Sequence, residues 1–236
     1  MKAGFPGWLQ ALAAISVALG IVCALVIIFD ELRRPQKMAV MNFVWPLTAL
    51  FGGVLWLAGY YAWGRAPADH DAEPRELPFA VSVAKAASHC GAGCALGDLI
   101  AEWLAFAFPV IAIWFGWHSV FAEKTFAIWI PDFLLAFGLG IVFQYYTITP
   151  MRDLTVSEGI FAALKADIAS IASWQIGMYG VMALIQFAWF KPVFGQIATV
   201  DSVEFWLAMQ VAMIAGFGTA FPVNWLLIRA GWKERM

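Results

Sequence analysis

The sequence predicts an all-α, polytopic membrane protein: a bundle of about six transmembrane helices. Composition is the first reason, because 63% of the 236 residues are hydrophobic and only 13% are charged, whereas about a quarter of a soluble domain is charged. The second is that the apolar residues gather into runs near the ~20 residues an α-helix needs to cross a bilayer. The third is aromatic content: 13 tryptophans and 20 phenylalanines suit membrane interfaces and the seams between packed helices. The lipid bilayer is therefore the expected partner. A net charge of -2 with no clustered basic face argues against a nucleic-acid partner.

The expected spans are residues 8–29, 40–63, 91–117, 126–147, 166–190 and 203–228. The first, within "MKAGFPGWLQALAAISVALGIVCALVIIFDELRR", exceeds a signal-peptide core and lacks a small-x-small cleavage site, so it reads as a retained helix. Residues 1–38 then form an N-terminal helix and loop, and 39–236 a five-helix domain with one long connection, 64–88. The first half of that connection is acidic and Pro-rich, a solvated linker in which His70 stands among acids. The second half, "LPFAVSVAKAAS", could lie along the interface as a short amphipathic helix. Six spans place both termini on one face. Lys2, Arg65, Arg75, Lys85, Arg152, Lys165, Arg229, Lys233 and Arg235 fall on that face, against Arg33, Arg34, Lys37, Lys124 and Lys191 on the other. The positive-inside rule then expects cytoplasmic termini, with the Arg33/Arg34/Lys37 cluster pulling the other way. No internal repeat marks the chain as a two-halves transporter.

Ionisable groups inside a membrane are costly and mark pathways or sites. In "SHCGAGCALGDLIAEW" Cys90, Cys94, Asp98 and Glu102 recur every fourth residue, a gently slanting helical stripe with His89 at its head and Gly91, Gly93 and Gly97 beside it. Gly93 with Gly97 is a small-xxx-small step that would seat a neighbouring helix. Cys90 and Cys94, one turn apart, suit thiol or metal chemistry better than a disulfide, whereas Cys23 alone is a buried filler. The fifth span carries Lys165 and Asp167 at its start, then Ser170, Ser173 and Gln175. Met178 and Met182 on that span and Met209 and Met213 on the last are paired at matching depth, so antiparallel packing could bring four thioethers together. Methionine at such spacing is more often core filler. Gly216, Gly218 and Pro222 would loosen or kink the sixth helix, with Gln210 and Asn224 bridging helices or satisfying freed backbone groups.

Five blocks, "VWPLTALFGG", "HCGAGCALGD", "FQYYTITPMR", "KADIASIASWQIGMYG" and "MQVAMIAGFGTAFPVNWLLIRAGWKERM", resemble those of a bacterial and archaeal multi-pass membrane family described only as a domain of unknown function, the DUF4396 type. The resemblance spans roughly residues 38–236. It implies the fold and no settled activity, although some members look to be labelled copper-oxidase-associated.

Three functions are expected from the residues. The first is a soft-metal protein of the bacterial inner membrane that conducts or hands on Cu(I), since thioethers and thiolates select soft cations. Met178, Met182, Met209 and Met213 would form its outer relay, Asp98, Glu102 and Gln175 its middle, and His89, Cys90 and Cys94 its receiving site. Copper(I) is accordingly the expected cofactor or cargo. The second is a proton- or ion-coupled small-solute transporter titrating at Asp98, Glu102, Lys165 and Asp167. The third is an accessory subunit, docked by its small-residue steps in a homo-oligomer or larger membrane complex. No P-loop, nucleophile–base pair or cofactor motif points to an enzyme.

Overall fold

The computed structural model describes residues 4–67, 76–149 and 155–235; His70 lies outside them. The described residues form α1 (Gly7–Arg33), α2 (Met41–Gly59, extended by a π-helical turn, Tyr60–Gly64), α3 (Phe79–Ala107), α4 (Val110–Trp114) and α5 (Lys124–Ile148). There follow α6 (Val156–Ala183, extended by π-helical Leu184–Phe190), α7 (Lys191–Phe194) and α8 (Val203–Arg229). Six of these segments are long and apolar enough to cross a membrane. The chain is thus an all-α membrane bundle, as its composition predicts.

Two boundaries differ from expectation. The stretch "FAVSVAKAAS" is the first part of α3 itself, and α3 ends at Ala107, before Phe108 and Pro109, instead of running to 117. Pro109 supplies no backbone N–H, so helix α3 stops there and only the short α4 follows. Helix α6 likewise starts ten residues earlier than expected, at Val156, where Thr155 and Glu158 form a capping box. That signal, Thr-x-x-Glu, was present in the sequence. Both shifts push His89, Cys90, Lys165 and Asp167 several turns into their helices.

The bundle is built around α3, the most buried of the six spans. Small residues explain its position. A methyl added at Gly93 would lie 2.8 Å from the Gly140 Cα of α5, and one at Gly97 would lie 2.5 Å from the Ala136 nitrogen. The two backbones therefore touch along an antiparallel seam that no larger residue could form. Gly91 faces the indole of Trp174 on α6, which also packs on Gly216 of α8. Helix α8 is helical throughout, so the expected kink at Gly216, Gly218 and Pro222 does not interrupt it. The break lies instead in α2, at Gly53, with φ 52° and ψ −132°. Such angles are easily adopted only by glycine, and they take the backbone off the helical hydrogen-bond ladder. Leu50, three residues earlier, has its carbonyl served by Gln210 Nε2 of α8 at 2.6 Å, while Ser16 of α1 donates to Gln210 Oε1 at 2.7 Å. One side chain thus ties α1, α2 and α8 together. Past Gly53 the chain folds back, so that Tyr60 packs on Trp45 at 5.6 Å and Gln36 Nε2 donates to the Gly64 carbonyl at 3.0 Å. Helix α2 thus leaves on the face where it entered, and the expected placement of both termini on one face does not hold: Phe5 packs on Phe190 and Phe194 at the end of α6, whereas Lys233 meets Cys90 and Asp167 toward the opposite face. At the face carrying the C-terminus, Asp30 of α1 accepts from Tyr60 at 2.8 Å and from Arg65.

The seam and the tie are both testable by thermal unfolding in detergent. Gly97→Ala should cost about 1–3 kcal/mol by overpacking, whereas Gly138→Ala on α5, with open space around it, should stabilise by up to about 1 kcal/mol through helix propensity. Gln210→Leu strands the Leu50 carbonyl and should cost about 1–3 kcal/mol.

Candidate functional site

All four members of the α3 stripe, Cys90, Cys94, Asp98 and Glu102, are buried. They do not look in a single direction, because α3 is surrounded and each turn meets a different neighbour. The Gly93 and Gly97 seam sets the register against α5 and brings Asp132, one turn before Ala136, beside Asp98.

Asp98, Asp132 and Gln175 form the middle of the site. Asp98 interacts with both of the others, yet neither Asp98 oxygen, neither end of Gln175, nor Asp132 Oδ1 makes a well-formed hydrogen bond. The remaining Asp132 oxygen accepts only a long bond, 3.5 Å, from the Tyr179 hydroxyl, whose ring stacks on Trp129 at 4.5 Å. Glu102 lies within electrostatic range of Asp132 and of Lys124. Two carboxyl groups in contact and away from water are tolerated only with a proton or cation to share. Asp132 escaped the sequence reading, although an acid inside the apolar run "IWIPDFLLAF" is itself the signal of a functional intramembrane residue.

A second polar cluster lies nearer the face carrying the C-terminus. Asp167 on α6 meets Cys90, whose thiol donates to Asp167 Oδ1 at 3.1 Å and accepts from the Ser170 hydroxyl at 3.0 Å. Asn224 Nδ2 of α8 donates to that same hydroxyl at 2.6 Å, the interhelical bridge expected of it. The cation is Lys233, from the segment after α8: its Nζ donates to Asp167 Oδ1 at 2.6 Å and to Cys90 Sγ at 2.9 Å. Both side chains of this ion pair are wholly buried. Burial alone would lower the Lys233 ammonium, but Asp167 and Cys90 outweigh it and hold its pKa above the ordinary value, so it stays charged at neutral pH. Lys165, expected in the titrating network, is instead exposed and sits over the Trp232 ring at 4.9 Å. Nothing local in "AGWKERM" marks Lys233 as buried; only the return of the chain onto α3 and α6 does.

The remaining expected ligands are separated. His89 faces α5, where its Nε2 meets the Thr147 hydroxyl at 2.8 Å, next to the fully buried and unpartnered Gln144. Its Nδ1 is also unpartnered. Cys94 is buried in the central apolar cluster along with Cys90, and all three cysteines are free thiols. Among the described residues no three His, Cys, Asp or Glu side chains converge as a metal-holding group. His89 and Cys90 thus look toward different helices.

Met178, Met182, Met209 and Met213 share the central apolar cluster. The pairings Asn224–Ser170, Thr219–Ser173 and Gly216–Trp174 fix an antiparallel α6–α8 register. Continued upward, it sets Met213 level with Met178 and Met209 level with Met182. Met209 and Met213 also line a cavity of about 240 Å³, with Gln210, Asp98, Trp103 and Trp206. Exposed Ile21 and Trp103 form part of its wall, so the cavity opens sideways, toward the lipid.

The family described as "Domain of unknown function (DUF4396)" matches residues 81–233. The chain belongs to that family. The match begins within α3, so the "VWPLTALFGG" block on α2, part of the expected resemblance, lies outside it, and both polar clusters of this DUF4396 protein lie inside it. No curated protein and no solved structure matches the chain.

The buried pair gives this DUF4396 member a measurable signature. Lys233→Met leaves a buried carboxylate uncompensated and should cost about 3–5 kcal/mol, as should Asp167→Asn, whereas the double variant should recover most of the loss. Thermal melting of the three variants in one detergent checks the cycle.

Proposed function

We propose that the protein is a membrane transporter that couples movement of a small solute or ion to a proton or other monovalent cation bound at Asp98 and Asp132. The observation that carries this reading is the contact of those two buried carboxyl groups from different helices, beside Gln175 and with no well-formed bond to either Asp98 oxygen. A purely structural cluster would be expected to satisfy its polar atoms, since each orphan is destabilising. The unpaired Asp98 oxygens and Asp132 Oδ1 are acceptors to which a proton or monovalent cation would bind. Glu102 extends the acidic group along α3, and Cys94, Cys90 and Asp167 lie between it and the face carrying the C-terminus. On the balance of basic residues we place that face in the cytoplasm and the protein in a bacterial inner membrane.

The test uses protein reconstituted in liposomes with an entrapped pH dye and a potassium diffusion potential. Wild type should carry protons faster than empty liposomes. Asp98→Asn and Asp132→Asn should each reduce that flux at least tenfold, and Cys90→Ser/Cys94→Ser should retain it. Wild-type flux equal to empty liposomes, or full flux in both aspartate variants, rejects the coupling role.

A soft-metal reading has its own support, because Met209 and Met213 line the same cavity as Asp98 and Met178 and Met182 follow in register. In that reading Cu(I) is the cargo, bound by thioethers and a carboxylate. Copper uptake by the same liposomes under reducing conditions should then fall at least tenfold in Met209→Leu/Met213→Leu while proton flux is unchanged. Equal copper uptake by wild type and variant rejects it.

A further inference from the structure

The surroundings of Lys233 have the form of a cation site. After α8, Gly231 turns the chain with a positive φ of 71°, and the Trp232 and Lys233 amides bond back to the Leu227 carbonyl. Trp232 then lies under Lys165, and Arg235 reaches α3 and the residues before it, donating to the Leu77 carbonyl and to Ser82 Oγ. Between these two anchors the Lys233 ammonium enters the bundle. Three acceptors surround it: Asp167 Oδ1 at 2.6 Å, Cys90 Sγ at 2.9 Å and the Ala86 carbonyl at 3.4 Å. Two more buried acceptors close by have no partner, Asp167 Oδ2 and Asn224 Oδ1. The cluster thus has more acceptor capacity than one ammonium uses. It also stands at the end of the polar file nearer the C-terminal face, the file starting at Asp98 and Asp132.

We propose that this pocket, formed by Asp167, Cys90 and the Ala86 carbonyl, is a binding site for a monovalent cation, and that Lys233 is a tethered ammonium that plugs it. An ion pair this well desolvated is held by geometry as much as by charge. A free cation of the same charge and donor type can therefore replace the lysine once its side chain is shortened. The second half of the proposal rests on the transport reading above: with the plug in place, proton movement through this end of the file is slow, and with the plug removed it is faster.

The probe is ethylammonium, which restores the end of a lysine side chain. In Lys233→Ala, millimolar ethylammonium should raise the melting temperature toward that of wild type. Tetramethylammonium, which has no N–H donors, should not, nor should ethylammonium act on Lys233→Ala/Asp167→Asn. Cys90 supplies an independent readout. In a Cys23→Ser/Cys94→Ser background a small thiol reagent should label Cys90 at least tenfold faster in Lys233→Ala, and ethylammonium should slow it again. Should Lys233→Ala not fold, Lys233→Gln retains side-chain length without the charge, and its Cys90 should likewise label at least tenfold faster than wild type. Absence of ethylammonium rescue in a folded Lys233→Ala, or Cys90 labelling unchanged by loss of the ammonium, overturns the site and leaves an ordinary structural ion pair. Proton flux separates the two readings: rescue and labelling as expected, with flux no greater than wild type, upholds the cation site and counts against the transport path.

Discussion

The close approach of α3 and α5 is the contact on which the rest of the bundle depends. Gly93 and Gly97 leave no side chain between the two backbones, so α5 lies against α3 with one register available to it. That register places Asp132 beside Asp98 toward one membrane face and Thr147 beside His89 toward the other. It also leaves the opposite side of α3 to Trp174, Ser170 and Asp167 of α6. Dispersion and close fit must drive such packing, because lipid offers no hydrophobic reward for helix association.

Burying charge imposes the second order in the structure. Lys233 and Asp167 satisfy one another and draw Cys90, Ser170 and Asn224 into a bonded network. Asp98 and Asp132 do the opposite: two acids meet, and their surroundings leave acceptors unused. In a low-dielectric interior the first arrangement is a closed device and the second an open one. Both arrangements are anchored on one helix, α3, at Cys90 and at Asp98.

Some of this was legible in the residues. The spacing of Cys90, Cys94, Asp98 and Glu102 announced a buried polar stripe, the Gly93–Gly97 step announced a helix seam, and the methionine pairs announced matched depths on α6 and α8. Gln210 and Asn224 could be read as bridges, and both bridge. Asp132 was legible and was passed over, since a single acid in an apolar span lacks the periodic company that drew notice to α3. The helix ends were less legible: "FAVSVAKAAS" has few large apolar residues, and α3 extends through it because α2 and α8 cover it, which no local property records.

The sequence by itself determined that this chain lives in a bilayer, has about six segments long and apolar enough to cross it and carries ionisable groups and sulfur where lipid would be their alternative. Hydropathy and helical period suffice for that, because the solvent acts on each segment separately. Only the tertiary structure decided which groups meet. It turned His89 away from Cys90, set Asp132 against Asp98, exposed Lys165 and buried Lys233 in its place. Those outcomes depend on the rotation and register of neighbouring helices, and these are set by contacts between residues far apart in the chain, such as Gly93 with Gly140 and Trp174 with Gly216.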